Sequence, residues 1–526
     1  MERIRIYDTT LRDGMQAEGI SFSLDDKLAI AKHLDELNFD YIEGGYASSN
    51  DKEMQFFLES AKLGLTRSKI AGFGNTRRAD ATVADDISLN AILACKTPVA
   101  TLVGKTWDLH VTQVLRCSLE DNLKICAESV EYMKAKGLEV IFDAEHFFDG
   151  FKKNSDYAMK VLAAAVDAGA DVIVLCETNG GCLPNEVYDI TQTVKKKFGK
   201  VSLGIHCHND TDCAVANSLA AVHAGARHVQ GTINGLGERT GNANLCTIIP
   251  NLALKMGFEV LSEDKIKRLT EISRFVSETA NLPPVINMPY VGESAFAHKA
   301  GLHVDAIRKN KITYEHIDPL LVGNERRFLI SELSGKANVL AKLEKAGITQ
   351  DPHLARQILI EVQNLENIGY QFESADASFE LLVKKMMGGY KPFFTLEKFH
   401  VTVEKDLYGK MISQAMIKLV VDGSVEHVVS ESDGPVDALY SSLCKALERV
   451  YPSVREMHLI DYKVRIVNPA AATAATTRVV IETRDKDTVW GTVGVSENII
   501  GASWQALVDS VEYKLLKDGQ PPKGTK

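Results

Sequence analysis

With 526 residues the chain is longer than one hydrophobic core usually organises, so two or three domains are expected. A quarter of the residues are charged and 45% are hydrophobic, an ordinary globular balance. The formal net charge of -10 comes with Lys and Arg scattered along the chain, which excludes the basic patch of a nucleic-acid-binding protein. The opening MERIRIYDTT has no basic segment leading into an apolar one, and every long apolar run is soon broken by Asp, Glu or Lys. A cytoplasmic protein without a membrane span is the expectation. Nine cysteines, an odd number with no Cys-x-x-Cys pair, argue against a disulfide framework or a zinc knuckle.

Up to about Met256, short β-rich runs alternate with amphipathic helical stretches, the pattern of repeated βα units. The runs are Arg5–Asp8, Tyr41–Gly44, Lys69–Phe73, Val99–Val103, Glu139–Asp143, Asp171–Cys176, Val201–Cys207 and His228–Ile233. Eight such units close a (β/α)8 TIM barrel of the usual length. SLDDKLAIAKHLDELN predicts an outer helix, with Ser23 as N-cap and Leu28, Ala31, Leu34 and Leu37 on one stripe. The helix between the third and fourth runs has the weakest pattern.

Beyond the barrel a predominantly helical region runs to about Gly389, and from about Phe393 the chain turns β-rich. The fold class is therefore α/β: a (β/α)8 barrel over 1–260, a helical linker over 261–390, and an α+β domain over 391–526. That last domain carries an internal βα repeat. AMIKLVVDGSVEHVVSESDGPVDALYSSLCKAL and TRVVIETRDKDTVWGTVGVSENIIGASWQALVDSV each read as strand, turn, strand, polar break, helix. The helix starts near Asp433 and Asn498 are candidate anion sites, with a duplicated packing unit as the alternative. NPAAATAATT reads as an exposed loop and GQPPKGTK as a frayed tail.

Residues two apart on a strand share a face, so His206 and His208 point the same way at the C-terminal end of the seventh strand, where barrel active sites form. Cys207 between them faces the helices. DTTLRDG puts Arg12 and Asp13 on the same rim after the first strand. Two imidazoles and a carboxylate suit a divalent metal ion, with Mg2+, Mn2+ and Zn2+ all compatible. In GLGERTGN, the amide oxygen of Asn242 can complete the coordination, while the glycines fail the dinucleotide-binding spacing. Glu43, Asp143, Glu145 and Thr178 are further polar groups at strand ends. Each alone reads equally well as a satisfied buried group or a helix cap, but several on one rim make a site.

DTTLRDG, IEGG, HCHND and GLGERTGN, in this order, resemble the family of metal-dependent 2-isopropylmalate, homocitrate and citramalate synthases. RDGMQAEGISFS and FDAEHFFDGFK are most similar to its citramalate-forming branch. The resemblance implies condensation of a 2-oxo acid, pyruvate in that branch, with acetyl-CoA as co-substrate. It also implies that the barrel is catalytic, that the linker contributes to the active site, that the C-terminal domain is regulatory and mediates inhibition by isoleucine, and that the chain forms a homodimer. By motif it carries over Asp13, His206, His208 and Asn242 as metal ligands, and Arg12, Glu145 and Thr178 as groups near the oxo acid, with Glu43 at the substrate. AFAHKAGLHVDAI and TYEHIDP carry over His303 and Tyr314 as groups acting on the acetyl unit or on water. Met15, and YASSN after IEGG, depart from the family pattern where substrate size is set. The competing readings are a 2-isopropylmalate synthase, responsive to leucine, and a metal-dependent carbon-carbon lyase, which would not be expected to carry the duplicated module.

Overall fold

Strands buried on both faces need no polar alternation, and the eight short apolar runs accordingly become eight parallel strands. In the computed structural model, which describes residues 2–330, 336–345, 352–405, 407–467 and 475–523, they are β1 (Arg5–Asp8), β2 (Tyr41–Tyr46), β3 (Lys69–Asn75), β4 (Val99–Lys105), β5 (Glu139–Glu145), β6 (Val172–Glu177), β7 (Ser202–Cys207) and β8 (His228–Gly231). They pair in chain order, and β1 closes the barrel on β8 from Arg5 beside His228 to Asp8 beside Gly231. The chain divides into two compact units, Met1–Phe296 with Ile317–Arg326, and Ala297–His316 with Arg327–Lys526.

The first helix spans Leu24–Glu36 and begins in a capping box: Asp26 N donates to Ser23 Oγ, and Ser23 N donates back to the Asp26 carboxylate. Its stripe is buried at Ala31, Leu34 and Leu37, with Ile30 beside it. The weakly patterned helix after β3 is there, but it is short, Ile87–Ala94, and capped by Asp86. Inside the barrel, Tyr7, Tyr41, Val99, Ile141, Val172 and Val174 fill an apolar layer. Two residues further along several strands the inward positions turn polar, as Tyr41 gives way to Glu43, Val99 to Thr101 and Ile141 to Asp143. This change of layer marks the floor of the site.

In the second unit, the two-residue strands β9 (Ala297–His298) and β10 (Arg327–Phe328) pair. The helices Gly301–Lys309, Lys336–Lys345, Pro352–Asn367 and Asp376–Met386 make up much of the expected helical region. The duplicated module is larger than its sequence repeat, because each half gains a leading strand. One sheet is β11 (Thr395–Lys405), β12 (Met411–Val421) and β13 (Ser424–Ser432), followed by the helix Pro435–Leu447. The other is β14 (His458–Ile466), β15 (Thr477–Arg484) and β16 (Val489–Ser496), followed by the helix Ile499–Lys517. Both helices share one core with Ile417, Leu419, Val479 and Ile481. Asp422 and Gly423, both at positive φ, make the two-residue turn between β12 and β13.

Two expectations about this module need correction. Asn498 is the N-cap of its helix, and its own Oδ1 accepts from Ile500 N and Gly501 N, so the donors an anion would need are already engaged. The other helix starts at Pro435, which lacks an N–H, with Gly434 rather than Asp433 as its N-cap. The tail is also held as far as Lys523: its N–H donates to Tyr451 Oη, and its carbonyl accepts from Asp422 N. Most of the Ala/Thr stretch, at 468–474, lies outside the described residues.

Candidate active site and metal centre

Asp13 follows β1 and is the N-cap of the one-turn helix Gly14–Gln16. His206 stands at the end of β7, and His208, one residue past it, bridges to Asn242 after β8. Cys207 packs in the core outside the barrel, as strand alternation requires. His206 Nε2 lies 3.4 Å from His208 Nε2 and 3.5 Å from Asp13 Oδ2. Ligand atoms of Asp13, His206 and His208 all fall within 4.8 Å of one another, and among the described residues this is the one cluster of three His, Cys, Asp or Glu side chains able to share an ion.

The donor set fits a cation. Asp13 Oδ1 and Asn242 Oδ1 are buried acceptors with no hydrogen-bond partner, a costly state that an ion would relieve. Asn242 cannot turn its amide around, because its Nδ2 donates to Leu236 O at 3.0 Å. Gly237 guards that arrangement: at φ +155° a Cβ there would stand 2.1 Å from Asn242 Nδ2. Burial alone would raise the Asp13 carboxyl, but Arg12, His206 and His208 override it and hold it at about 2. Burial pushes both imidazoles down, His208 to about 4 with help from His206, so both rings are neutral near pH 7 and have lone pairs to give.

Beside this cluster Arg12 is fixed on three sides. Its Nε donates to Glu43 Oε2 at 2.7 Å, its Nη1 to Asp13 Oδ2 at 3.0 Å, and its guanidinium lies 4.0 Å over the Phe73 ring. Glu43, fully buried on β2, also accepts from Tyr7 Oη at 2.6 Å and from Thr9 Oγ1. Glu145 ends β5 and pairs with Lys105, which ends β4. Thr178 follows β6, and its Oγ1 accepts from His146 N at 2.9 Å. Arg12, Asp13, Glu145, Thr178, His206, His208 and Asn242 therefore stand at or just past the C-terminal ends of barrel strands, with Glu43 deeper, in the middle of β2, and all are inside the first unit. His303 and Tyr314 belong to the second unit, where both are exposed and their rings stack at 4.0 Å.

Sequence reasoning overlooked four polar groups here. Tyr7 and Thr101 support Glu43 from below, with Tyr7 Oη 2.8 Å from Thr101 Oγ1. Arg239 forks onto Asp210 at 2.8 and 2.9 Å and donates to Thr178 O. Gln230 bridges Asp143 and His206. The available signal was polar residues at inward positions of otherwise apolar strands, as in HVQG.

Residues 3–276 match the family model described as HMGL-like, 290–369 the homocitrate synthase post-HMGL domain-like model, and 373–515 the LeuA allosteric (dimerisation) domain. The (R)-citramalate synthase of Aquifex aeolicus is 52% identical over 98% of each chain, and that of Geobacter sulfurreducens 53% over the same shares. A 2-isopropylmalate synthase of Methanocaldococcus jannaschii is 33% identical over 98% of this chain and 95% of its own. With an HMGL-like barrel bearing this site and near-complete matches at more than half identity, the chain belongs to the citramalate synthase family.

Proposed function

We propose that the chain is an acetyl-CoA-dependent acyltransferase that condenses pyruvate with acetyl-CoA and water to give (R)-citramalate and CoA, as a cytoplasmic homodimer in a route to isoleucine. The observation that carries this reading is the 52% and 53% identity, over 98% of the chain, to proteins named for that reaction. A divalent ion held by Asp13, His206, His208 and Asn242 supplies Lewis acidity and a template for the 2-oxo acid. Arg12 meets the negative charge that grows on the keto oxygen of pyruvate as the new carbon-carbon bond forms. Its restraint by Glu43, Asp13 and Phe73 supports that role, because a preorganised cation need not reorient during the reaction.

Thr178 takes the pyruvate carboxylate. Its Oγ1 already accepts from His146 N, so the hydroxyl keeps its own proton to donate. Glu145 receives the proton lost by the acetyl methyl group, and the resulting carbon nucleophile attacks the keto carbon. His303 and Tyr314 act on the acetyl unit or on the water that cleaves the thioester; that assignment rests on the family resemblance. The domain roles are a catalytic barrel over 1–260, a linker over 261–390 and a regulatory domain over 391–526. Feedback inhibition by isoleucine through the last, and dimerisation, are supported by the LeuA allosteric (dimerisation) match over 373–515.

Steady-state release of CoA with pyruvate or 2-oxoisovalerate, after metal reconstitution, tests the substrate. 2-Oxoisovalerate carries two more methyl groups than pyruvate, each worth only ~1–3 kcal/mol of discrimination, so the comparison must be of kcat/KM. A clear preference for pyruvate is expected, and a preference for 2-oxoisovalerate would reassign the chain to 2-isopropylmalate synthesis.

A further inference from the structure

Gln230 has no part in the chemistry above, yet its side chain crosses the barrel interior from β8 to β5. Its Nε2 donates to Asp143 Oδ1 at 3.0 Å, and its Oε1 lies 2.9 Å from His206 Nδ1. Gln230 is fully buried, and Asp143 and His206 nearly so, so water does not substitute for these bonds. A glutamine amide has one donor end and one acceptor end. With the donor end committed to Asp143, the acceptor end faces His206 Nδ1, and that contact is a hydrogen bond only if Nδ1 carries the ring's proton. His206 Nε2 is then left with its lone pair, and Nε2 is the nitrogen that faces His208 Nε2 and Asp13 Oδ2.

We propose that Asp143 and Gln230 form a positioning relay that sets the tautomer and ring orientation of His206, so that Nε2 is ready to ligate before any ion arrives. The relay rests on the metal-site reading above. It is one-sided, since His208 Nδ1 is buried without a partner and has no counterpart to Gln230. Loss of the relay therefore cannot be made good by the second imidazole. Asp143 acts only through Gln230, which separates this role from direct ligation.

Mn2+ titration of the full-length, metal-stripped protein, followed by loss of the free-ion EPR signal, tests the relay. Gln230→Leu is expected to weaken Mn2+ binding by about 10- to 100-fold. Asp143→Ala should weaken it too, whereas Asp143→Asn, which keeps an oxygen for Gln230 Nε2, should bind nearly as wild type. The double variant Gln230→Leu with Asp143→Ala should bind no more weakly than Gln230→Leu alone. Unchanged Mn2+ affinity in folded Gln230→Leu, or additive losses in the double variant, would overturn the relay. If Gln230→Leu does not fold, the Asp143→Ala and Asp143→Asn pair decides: a relay separates them, and equal affinities refute it. His206→Ala is the control for the underlying reading. If it abolishes binding while Gln230→Leu does not, only the relay fails; if it also binds as wild type, the metal site itself is wrong.

Discussion

The barrel rim and the C-terminal module both bury charged side chains, but they treat them differently. In the module, Asp485 is surrounded by partners: Lys514 Nζ at 2.8 Å, Lys517 Nζ at 2.7 Å, and the N–H groups of Asp487 and Thr488. At the rim, Asp13 Oδ1 and Asn242 Oδ1 are buried with no donor, and two neutral imidazoles face the same space. A carboxylate whose hydrogen-bonding capacity is filled from within the chain is architecture. Acceptors that converge without donors carry an energetic cost, and they mark where something from outside the chain completes the structure. The two regions should therefore respond in opposite ways when a buried polar group is removed.

The largest effect is expected at the rim. His206→Ala should lower kcat/KM for condensation by about 10⁴-fold, or ~5.5 kcal/mol, while the metal-free protein loses only the buried bond to Gln230, ~1–3 kcal/mol of stability. Calorimetry beside steady-state kinetics checks both halves, and a large fall in stability of the metal-free form would show that His206 is structural. In the module the pattern inverts. Asp485→Asn should cost ~3 kcal/mol of stability, because Lys514 and Lys517 lose their shared buried carboxylate, although Lys514 keeps Asp518 at 3.1 Å and Glu456 at 3.5 Å.

The pH dependence of that stability has a definite sign. Burial by itself would raise the Asp485 carboxyl, but Lys514, Lys517 and the backbone donors reverse this and hold it far below the usual carboxylate range. A carboxyl depressed on folding stabilises fully above its unfolded value of about 3.9, and the contribution is lost as pH falls below it. Thermal unfolding should thus show a steeper loss below about pH 4 in the wild type than in Asp485→Asn. Equal slopes would remove Asp485 from the account. The smallest of these effects is at Arg12. Arg12→Lys keeps the charge but not the fork to Glu43 and Asp13, and it should lower kcat about 100-fold with little change in KM. A change confined to KM would make Arg12 a binding group only.

Much of this contrast was legible in the sequence, for physical reasons that differ between the regions. Strands buried on both faces appear as apolar runs, so all eight barrel strands could be read, and with them the strand ends carrying Asp13, Glu145 and His206. The leading strands β11 and β14 escaped the repeat because they lie at sheet edges, largely exposed, and interleave charges with apolar residues, as in TLEKFHVTVEK and HLIDYKVRI. Gln230 escaped because one glutamine in HVQG has no spacing partner in the sequence; its meaning depends on Asp143, which lies 87 positions away and across the barrel. Arg239 was inside a recognised motif, but its fork onto Asp210 depends on how the loops after β7 and β8 meet. At Asn498 the sequence left an anion site and a duplicated packing unit equally open, and the self-cap favours the second, because a good N-cap residue fills its own helix end.

Metal dependence and the choice of 2-oxo acid can be read in a single experiment. The full-length protein is stripped with a chelator, and kcat/KM for CoA release is measured with pyruvate and with 2-oxoisovalerate before and after a divalent ion is returned. No turnover is expected in the stripped protein, with recovery on return of the ion and a kcat/KM for pyruvate at least about 10-fold above that for 2-oxoisovalerate. Full turnover in the chelator, or equal or better use of 2-oxoisovalerate, would contradict the proposed function.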